Sequence, residues 1–403
     1  MADGALSGIR VLDFSHHVSG PYCTKLLADF GADVIKVERP DGGDPARRLG
    51  PFPDDVPHSE KSGLFLYLNT NKRGITVNLA SEDGRGVIHR LLNEADVIVE
   101  SFRPGAMARF GLDYEWVRAA KPDLVYVSIS SFGQTGPYRD FEASEIVLYA
   151  MGGEMFATGL VDREPVKLGP NVVLSQGGAA AAVGTLGAIF GAQAQGVGQH
   201  VDVSLMETQA GTIDRRMATA IAYQYCGEVQ GRQALGGSAY PQGVYPCADG
   251  YFELVGGLIR WAQVVRMLGS PPELLDPKWT QPLAQQDLDL RAEFEAIFIP
   301  WVMERTKREL WEAAQAEGVL SAPLNTMDDV LNDAYFRERE FFTQVEHPVA
   351  GTITCPGAPW LMPETPWEVR RPAPQLGEHN AEVLGSLGYG PEDVARLREQ
   401  GAI

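Results

Sequence analysis

Two adjacent histidines mark the first place in this chain where the residue types suggest chemistry. His16 and His17 follow the apolar run at residues 9–14 and precede a predicted helix start. A histidine in this position could contact a ligand or cap the helix. No other histidine lies near them at a spacing typical of metal ligands, so we expect no metal site.

Basic residues lie next to several predicted strands. Arg39 follows the second strand, Lys72 and Arg73 precede the third, and Arg103 and Arg109 follow the fourth. Ligands of open α/β sheets collect at the carboxyl ends of the strands. We therefore predict that Arg39, Arg103 and Arg109 converge on an anion, with Lys72 and Arg73 reaching there from the preceding turn. For each residue taken singly, a solvated surface charge remains the alternative.

The elements that would position these residues alternate between strands and helices over the first 140 positions. Apolar runs at 9–14, 34–38, 75–79, 95–100 and 124–129 predict strands, and residues 21–30 and 81–93 predict helices between them. Strands joined by helices of this length predict a mostly parallel α/β sheet covered on both faces. A dinucleotide site that uses Glu38 is not favoured, because the loop at 15–20 holds one glycine instead of the G-x-G-x-x-G pattern.

Composition excludes several other classes of protein. The net charge of −19 argues against binding nucleic acid over a broad face. No run reaches about 18 uninterrupted apolar residues, and the first residues do not resemble a secretory signal, so we expect no membrane attachment. The four scattered cysteines form no CxxC pair and suit the cytoplasm. No G-x-S-x-G elbow is present.

The second half of the chain changes character. Residues 177–195 are rich in alanine and glycine, which is typical of a helix packed closely against another helix or a ligand. From about residue 230, loops, a strand at 251–255 and amphipathic helices to about 317 predict a smaller separate domain. Residues 345–375 are rich in proline and glycine, and we expect them to lie over another surface, such as a partner subunit.

Spaced motifs over the whole chain resemble those of class III CoA-transferases, the family of formyl-CoA transferase, carnitine CoA-transferase and α-methylacyl-CoA racemase. Each motif alone is weak, but together they are highly specific. They are LSGIRVLD at 6–13, GP at 20–21, LADFGADVIKVE at 27–38, LNTNKR at 68–73, FRPG at 102–105, GQTGPY at 133–138, GVGQHVDVS at 196–204 and PQLGEHN at 374–380.

The resemblance implies a fold and a ligand. It implies a Rossmann-like large CoA-binding domain with a parallel sheet from residues 1–205 and 330–403, a linker helix and smaller α+β domain from 206–329, and an interlocked, ring-like dimer. It also implies coenzyme A or an acyl-CoA as substrate, with no covalently bound cofactor. The positions expected to bind CoA are Val18, Arg39, Leu68, Lys72, Ser101, Phe102, Arg103 and Arg109, with Ser101 in the place of the asparagine usual in the family.

The catalytic residue of the family is missing from its expected position. Family transferases use an aspartate nucleophile four residues before a glycine, and that glycine lies 21 residues before the glutamine of the Gly-x-Gly-Gln motif. In this chain, the glycine 21 residues before Gln199 is Gly178, and the residue four positions before Gly178 is Leu174. Leu174 therefore occupies the position expected for the nucleophile. The run at 168–175 contains no acid. Where the family has an aromatic residue or histidine followed by an acid, this chain has Ser144 and Glu145.

The proton-transfer route of the racemases needs that histidine and the missing aspartate, so the chain alone cannot follow it. Three alternatives remain. The chain could be the nucleophile-lacking subunit of a heteromeric CoA-transferase, as in members acting on aromatic dicarboxylates such as benzylsuccinate, with a paralogous partner supplying the aspartate. It could be a homodimeric acyl-CoA lyase or isomerase that uses Glu145 or His17. It could instead bind CoA without catalysis.

Overall fold

The computed structural model describes residues 4–211, 214–229, 231–232 and 240–403. They form two compact units. The first comprises Met1–Thr158, Pro165–Gln230 and Glu340–Ile403, and the second comprises Gly159–Glu164 and Gly231–Arg339. The first boundary lies later than the expected residue 205, because the helices that follow it belong to the first unit. The second lies after Arg339 instead of residue 329, because the helices before it belong to the second unit.

A six-stranded sheet organises the first unit. Its strands are β1 (Arg10–Asp13), β2 (Asp33–Glu38), β3 (Arg73–Thr76), β4 (Val97–Glu100), β5 (Val125–Ser130) and β6 (His200–Ser204). They run parallel in the order β3-β2-β1-β4-β5-β6. After β1, the chain adds β2 and β3 on one side of β1, and it then adds β4, β5 and β6 on the other side. Ligand sites of open α/β sheets form at the carboxyl ends of strands beside such a reversal.

Helices cover both faces of this sheet. They are α1 (Ser19–Asp29), α2 (Gly63–Leu68), α3 (Glu82–Leu92), α4 (Ala106–Arg109), α5 (Tyr114–Ala120), α6 (Glu145–Met151), α7 (Val172–Gln195), α8 (Leu205–Gly211) and α9 (Asp214–Cys226). Val11 of β1 packs in a core cluster with residues of α1 and α7, whereas its neighbour Leu12 packs in the opposite cluster with residues of α3. This alternation confirms the predicted parallel α/β sheet buried on both faces.

The alanine- and glycine-rich stretch forms α7, which packs against α1. A Cβ atom on Gly178 would lie 2.5 Å from the backbone oxygen of Ser19, so only glycine permits this approach. Among the described helices, α7 alone is long and apolar enough to cross a membrane by length and composition. Less than half of its most apolar window, 44%, is buried. This is weak evidence for a span, since the core helix of a globular protein passes the same test.

The second unit is a smaller α+β body. Its antiparallel sheet contains β7 (Gln242–Cys247), β8 (Gly250–Val255) and β9 (Leu320–Pro323). Its helices are α10 (Trp261–Met267), α11 (Leu288–Met303), α12 (Lys307–Ala316), α13 (Met327–Asn332) and α14 (Ala334–Glu338). An aromatic core that includes Phe252, Trp279 and Phe294 stabilises it through burial of large apolar surfaces.

The proline-rich stretch near the C-terminus lies over this chain's own first unit. It begins as a hairpin of β10 (Phe342–His347) and β11 (Gly351–Pro356) and leads to α15 (Asn380–Ser386) and α16 (Pro391–Glu399). Between these elements, the Trp367 indole donates to Asp29 at 3.0 Å, and the Arg370 backbone N–H donates to Asn71 at 2.6 Å.

Candidate active site

A cavity of about 370 Å³ opens at the carboxyl ends of β1, β4 and β5, and we call it pocket A. It brings together loops that are far apart in sequence with the first turn of α7. It is lined by His16, His17, Val18, Ser19, Ser101, Phe102, Arg103, Pro104, Ile129, Ser130, Ser131, Arg139, Phe141, Glu142, Ala143, Leu174 and Leu205.

A second cavity of about 290 Å³, pocket B, lies at the carboxyl end of β2 and shares His16 and Phe102 with pocket A. It is lined by Phe14, His16, Val37, Glu38, Arg39, Pro45, Val77, Asn78, Leu79, Ala80, Phe102 and Phe110. Most of its lining is apolar, with His16, Glu38, Arg39 and Asn78 as the polar exceptions. Since two residues border both cavities, the pockets adjoin one another along the edge of the sheet.

The wall between the pockets is held by specific contacts. The His16 ring meets the Phe102 ring edge to face, with centroids 4.7 Å apart. The His16 backbone N–H donates to the Ser101 hydroxyl at 2.9 Å, so the loops after β1 and β4 are joined. Burial, helped by the nearby charge of Lys36, lowers the pKa of His16, and the ring is therefore neutral at pH 7.

A buried carboxyl supports the same wall from beneath. Glu100 ends β4, is 4% exposed, and accepts a hydrogen bond of 2.7 Å from the Phe102 backbone N–H. Burial raises the pKa of Glu100 to about 7, against the hydrogen bonds from Ser128 and Phe102, and the charge of Asp202 raises it further. Near neutral pH this side chain is therefore poised between its acid and its carboxylate.

Lys72 lies in a buried charge network under the site and not on a pocket wall. Its ammonium is 3.0 Å from Asp13 and also donates to Thr24 at 2.7 Å, to Asn69 at 2.9 Å and to the Pro21 backbone oxygen at 2.9 Å. Burial lowers the pKa of Lys72 to about 8, although Asp13 opposes this. Burial also opposes the ionisation of Asp13, but the neighbouring lysines outweigh it and hold the pKa of this carboxyl well below its usual range.

A second buried pair fixes the loop that carries His17. Asp44 lies 2.9 Å from the Lys36 ammonium and accepts from the backbone N–H groups of His17 at 3.0 Å and Ala46 at 2.8 Å. Burial opposes the charge of Asp44, but Lys36 and these backbone donors lower its pKa to about 2. The anchored backbone of His17 has a positive φ of 70°.

Leu174 is partly buried and lines pocket A from the first turn of α7. Glu145 lies behind that turn and not in either pocket lining. Its carboxylate accepts from the backbone N–H groups of Asn171 and Val173, each at 3.0 Å, and pairs with Lys167 at 3.0 Å. The structure thus gives Glu145 the place of a helix cap and not that of an acid or base facing a ligand.

The residues expected from the sequence divide into two groups. His17, Val18, Ser101, Phe102, Arg103 and Leu174 come together in pocket A, and Arg39 lies in pocket B. Leu68, Lys72, Arg109 and Glu145 line neither pocket. The basic residues expected to meet at one anion do not lie together in one pocket, because Arg103 lines pocket A, Arg39 lines pocket B, and Lys72, Arg73 and Arg109 line neither. Leu68 is buried in the core, and Arg109 is exposed at the end of α4.

Several pocket residues carry no signal in the sequence motifs. Ser130, Arg139, Glu142 and Leu205 line pocket A, although none was expected to. Ser130 ends β5 and Leu205 follows β6 directly, so the general rule on strand ends could have identified both. Glu142 forms a solvent-exposed ion pair of 2.7 Å with Arg103 at the rim.

The two pockets suit an elongated ligand with anionic groups. The arginines stand at the rim, where a phosphate or carboxylate could meet them without leaving water completely. The interior of pocket B is largely apolar and can hold a planar or aliphatic group, whereas the lining of pocket A mixes polar and apolar side chains. Among the residues that the structure describes, no group of three or more His, Cys, Asp or Glu could hold a metal ion.

Known proteins with similar sequences and folds agree with this picture. The family model described as CoA-transferase family III matches residues 6–380. The chain is 36% identical to the succinyl-CoA:(R)-benzylsuccinate CoA-transferase subunit BbsE of Thauera aromatica, over 98% of each chain. It is 34% identical to a formyl-CoA:oxalate CoA-transferase of Streptomyces avermitilis, over 99% of each chain.

The fold is also known from crystal structures. A CAIB/BAIF family protein from Brucella suis superposes with a TM-score of 0.84 at 29% identity, covering 96% of this chain and 100% of that one. Fold, sequence motifs and family model thus lead to one assignment, which confirms the resemblance seen in the sequence. The chain is a member of CoA-transferase family III.

Proposed function

We propose that this chain is the nucleophile-lacking subunit of a heteromeric CoA-transferase that moves CoA from an acyl-CoA such as succinyl-CoA to a carboxylic acid. The observation that carries the proposal is the place of Leu174. It lies on the wall of pocket A, at the family position of the aspartate, where its side chain offers no oxygen. A paralogous partner subunit would supply the aspartate in its own pocket.

The family chemistry explains why a leucine cannot substitute. An aspartate oxygen attacks the acyl-CoA carbonyl and expels CoA as the thiolate, which leaves a mixed anhydride on the enzyme. The thiolate then attacks the aspartyl carbonyl, releasing the donor acid and forming an enzyme–CoA thioester. The acceptor carboxylate attacks that thioester in turn, and CoA finally returns to the acceptor's acyl group. Each step needs the carboxylate at the nucleophile position.

CoA binding by this chain fits the two adjoining pockets. We propose that the adenine occupies apolar pocket B next to Phe102, and that Arg39 and Arg103 contact phosphates. The thioester end would then reach past the His16–Phe102 wall into pocket A. Lys72 supports this site from below through Asp13, and we do not assign it a phosphate contact, because its ammonium already has four protein partners.

An exposed apolar stripe on α7 supports the existence of a partner. Val183 and Phe190 are 71% and 75% exposed, and Leu186 between them faces the same side at helical spacing. Apolar stripes of this kind are typical of interaction surfaces. We propose that the paralogous subunit covers the stripe in an interlocked dimer of the kind implied by the resemblance, and that the assembly works in the cytoplasm.

One observation favours a second candidate function. Glu142 and His17 both line pocket A, so an acid and a histidine face the same cavity. A homodimeric acyl-CoA enzyme with altered chemistry could use them instead of a nucleophile at position 174. Against this, the Glu142 carboxylate is paired with Arg103 at 2.7 Å at the exposed rim.

The deciding experiment compares this chain alone with a mixture. The chain is expressed by itself and together with a paralogous chain encoded next to it, and CoA transfer from succinyl-CoA is assayed. We expect transfer only from the mixture. A second mixture, in which the partner's nucleophilic aspartate is replaced by asparagine, should be inactive. Robust transfer by this chain alone would contradict the proposal and favour the homodimeric alternative.

A further inference from the structure

One buried hydroxyl in pocket A has no hydrogen-bond partner in the part of the chain that the structure describes. Ser130 is 8% exposed and lines the pocket from the carboxyl end of β5. Its Oγ atom is buried and forms no hydrogen bond with any described residue. A hydroxyl removed from water without a partner costs roughly 1–3 kcal/mol. Such a cost is understandable where a ligand completes the hydrogen bond.

Two serines next to Ser130 in the sheet differ from it, because their hydroxyls have hydrogen-bond partners. Ser128 lies two residues earlier, on the same face of β5, and its hydroxyl lies 3.0 Å from the His200 ring. Ser204 lies opposite Ser130 in the sheet, and its hydroxyl accepts from the Glu207 backbone N–H at 3.3 Å. Both neighbouring hydroxyls are therefore satisfied within the protein. Only the hydroxyl that faces the cavity is left without a partner among these three.

The surroundings of Ser130 define what would bind there. Ile129, Leu174 and Leu205 line the same cavity and present aliphatic surface. A group that contacts these three aliphatic residues and Ser130 together is matched if it has an apolar body and carries an oxygen that can accept a hydrogen bond. The acyl end of a CoA thioester has this pattern, with one carbonyl oxygen on an otherwise aliphatic chain.

We propose that Ser130 is a substrate-binding residue whose hydroxyl donates a hydrogen bond to the thioester carbonyl oxygen of a bound acyl-CoA. This inference rests on the proposed function, because it requires CoA thioesters to enter pocket A. According to this proposal, the subunit still selects ligands that carry an acyl group, although it lacks the nucleophile. Leu174 then packs against the aliphatic part of that acyl group.

The test compares two ligands that differ in one oxygen. Propionyl-CoA carries the thioester carbonyl, whereas S-propyl-CoA is a thioether of the same chain length without it. Binding of both, and of CoA itself, is measured by calorimetry on the full chain. We expect propionyl-CoA to bind about 5- to 10-fold more tightly than S-propyl-CoA, the ratio that one neutral hydrogen bond provides.

In the variant Ser130→Ala, propionyl-CoA and S-propyl-CoA should bind equally tightly, and the affinity for CoA should stay unchanged. Because the hydroxyl bonds to none of the described residues, the substitution should not lower the melting temperature. Ser130→Cys, a similar volume with a weak donor, should give an intermediate ratio. The control Ser386→Ala removes a hydroxyl that bonds to Val383 on α15, outside the pocket linings, and should keep the ratio intact.

Two kinds of failure can be told apart. If the wild-type chain binds CoA and both analogues equally, or if Ser130→Ala keeps the preference, the role of Ser130 is refuted while the CoA-transferase proposal stands. The same holds if Ser130→Ala weakens all three ligands equally, since that would indicate a structural role. If the wild-type chain binds none of the three ligands, the proposed function fails and this inference fails with it.

Discussion

Glu145 anchors the first turn of α7 through a hydrogen bond of 3.0 Å from the Val173 backbone N–H to its carboxylate. The next residue is Leu174, so this contact fixes the backbone at the position that the sequence motifs predict for the family's nucleophile. A second bond from Asn171 and an ion pair with Lys167 complete the cap. Glu145 therefore supports the backbone at the position where we propose that the nucleophile is missing.

Removing the cap should destabilise the protein. Glu145→Ala leaves two backbone N–H groups at the start of α7 without acceptors and the Lys167 ammonium without its partner. We expect a loss of about 1–2 kcal/mol in the free energy of unfolding, measured by urea denaturation. The control Glu312→Ala, which removes an exposed ion pair with Arg308, should cost less than about 0.5 kcal/mol. Equal effects of the two substitutions would show that Glu145 does not cap α7.

Restoring a carboxylate at position 174 should create a reactive site. Leu174→Asp places an acid in pocket A on a backbone that Glu145 already holds. We expect slow CoA transfer from succinyl-CoA, well below that of the heteromeric mixture, because Ser144 also departs from the family pattern. The matched variant Leu174→Asn has nearly the same shape but no nucleophilic carboxylate and should be inactive. Equal rates for Asp and Asn would contradict this assignment of the position.

Substitutions at Lys72 and Arg39 should affect different properties, the first the stability of the fold and the second the affinity for CoA. Lys72→Met removes the ion-pair partner of the buried Asp13, and we expect a loss of roughly 3 kcal/mol in the free energy of unfolding. Arg39→Gln, at the exposed rim of pocket B, should leave that free energy unchanged but weaken CoA binding. Urea denaturation and calorimetry measure the two effects. If Lys72→Met weakened CoA binding without any loss of stability, the result would support a direct contact between Lys72 and a CoA phosphate.

Glu100 should make stability depend on pH. Its pKa is about 7 in the folded state, against 4.5 for an ordinary glutamate, so the folded state holds an extra proton between these two pH values. The free energy of unfolding should therefore fall as the pH rises from about 4.5 to 7, by roughly 3 kcal/mol. Glu100→Gln keeps an acceptor for the Phe102 N–H but cannot ionise, so its stability should vary less over this range. Parallel curves for wild type and variant would contradict the raised pKa.

The large-scale fold could be predicted from the sequence because its signals are local. The apolar run at 9–14 contains β1, the run at 34–38 covers β2 except for its first residue, Asp33, and Ser81 caps α3 as its sequence indicates. Strand ends were less accurate. The third strand was expected at 75–79 but spans Arg73–Thr76, since the parallel pairing with β2, and not the apolar run, decides where it ends.

The site could be predicted only in part, because side-chain direction depends on tertiary contacts. Lys72 lies in the right motif, yet Asp13 on another strand draws its ammonium into the core. Glu145 follows the family pattern, yet its carboxylate meets a helix that begins 27 residues later. Ser130 has no motif at all, and its significance comes from a hydrogen bond that the fold does not supply.

Chemical trapping during turnover tests the central claim most directly. The enzyme–CoA thioester of the active assembly is captured with hydroxylamine or borohydride in the presence of succinyl-CoA, and both subunits are analysed by mass spectrometry. We expect the modification on an aspartate of the paralogous partner, and none on this chain. Modification of an acid in this chain, such as Glu142 in pocket A, would show that it carries its own nucleophile and would contradict the account.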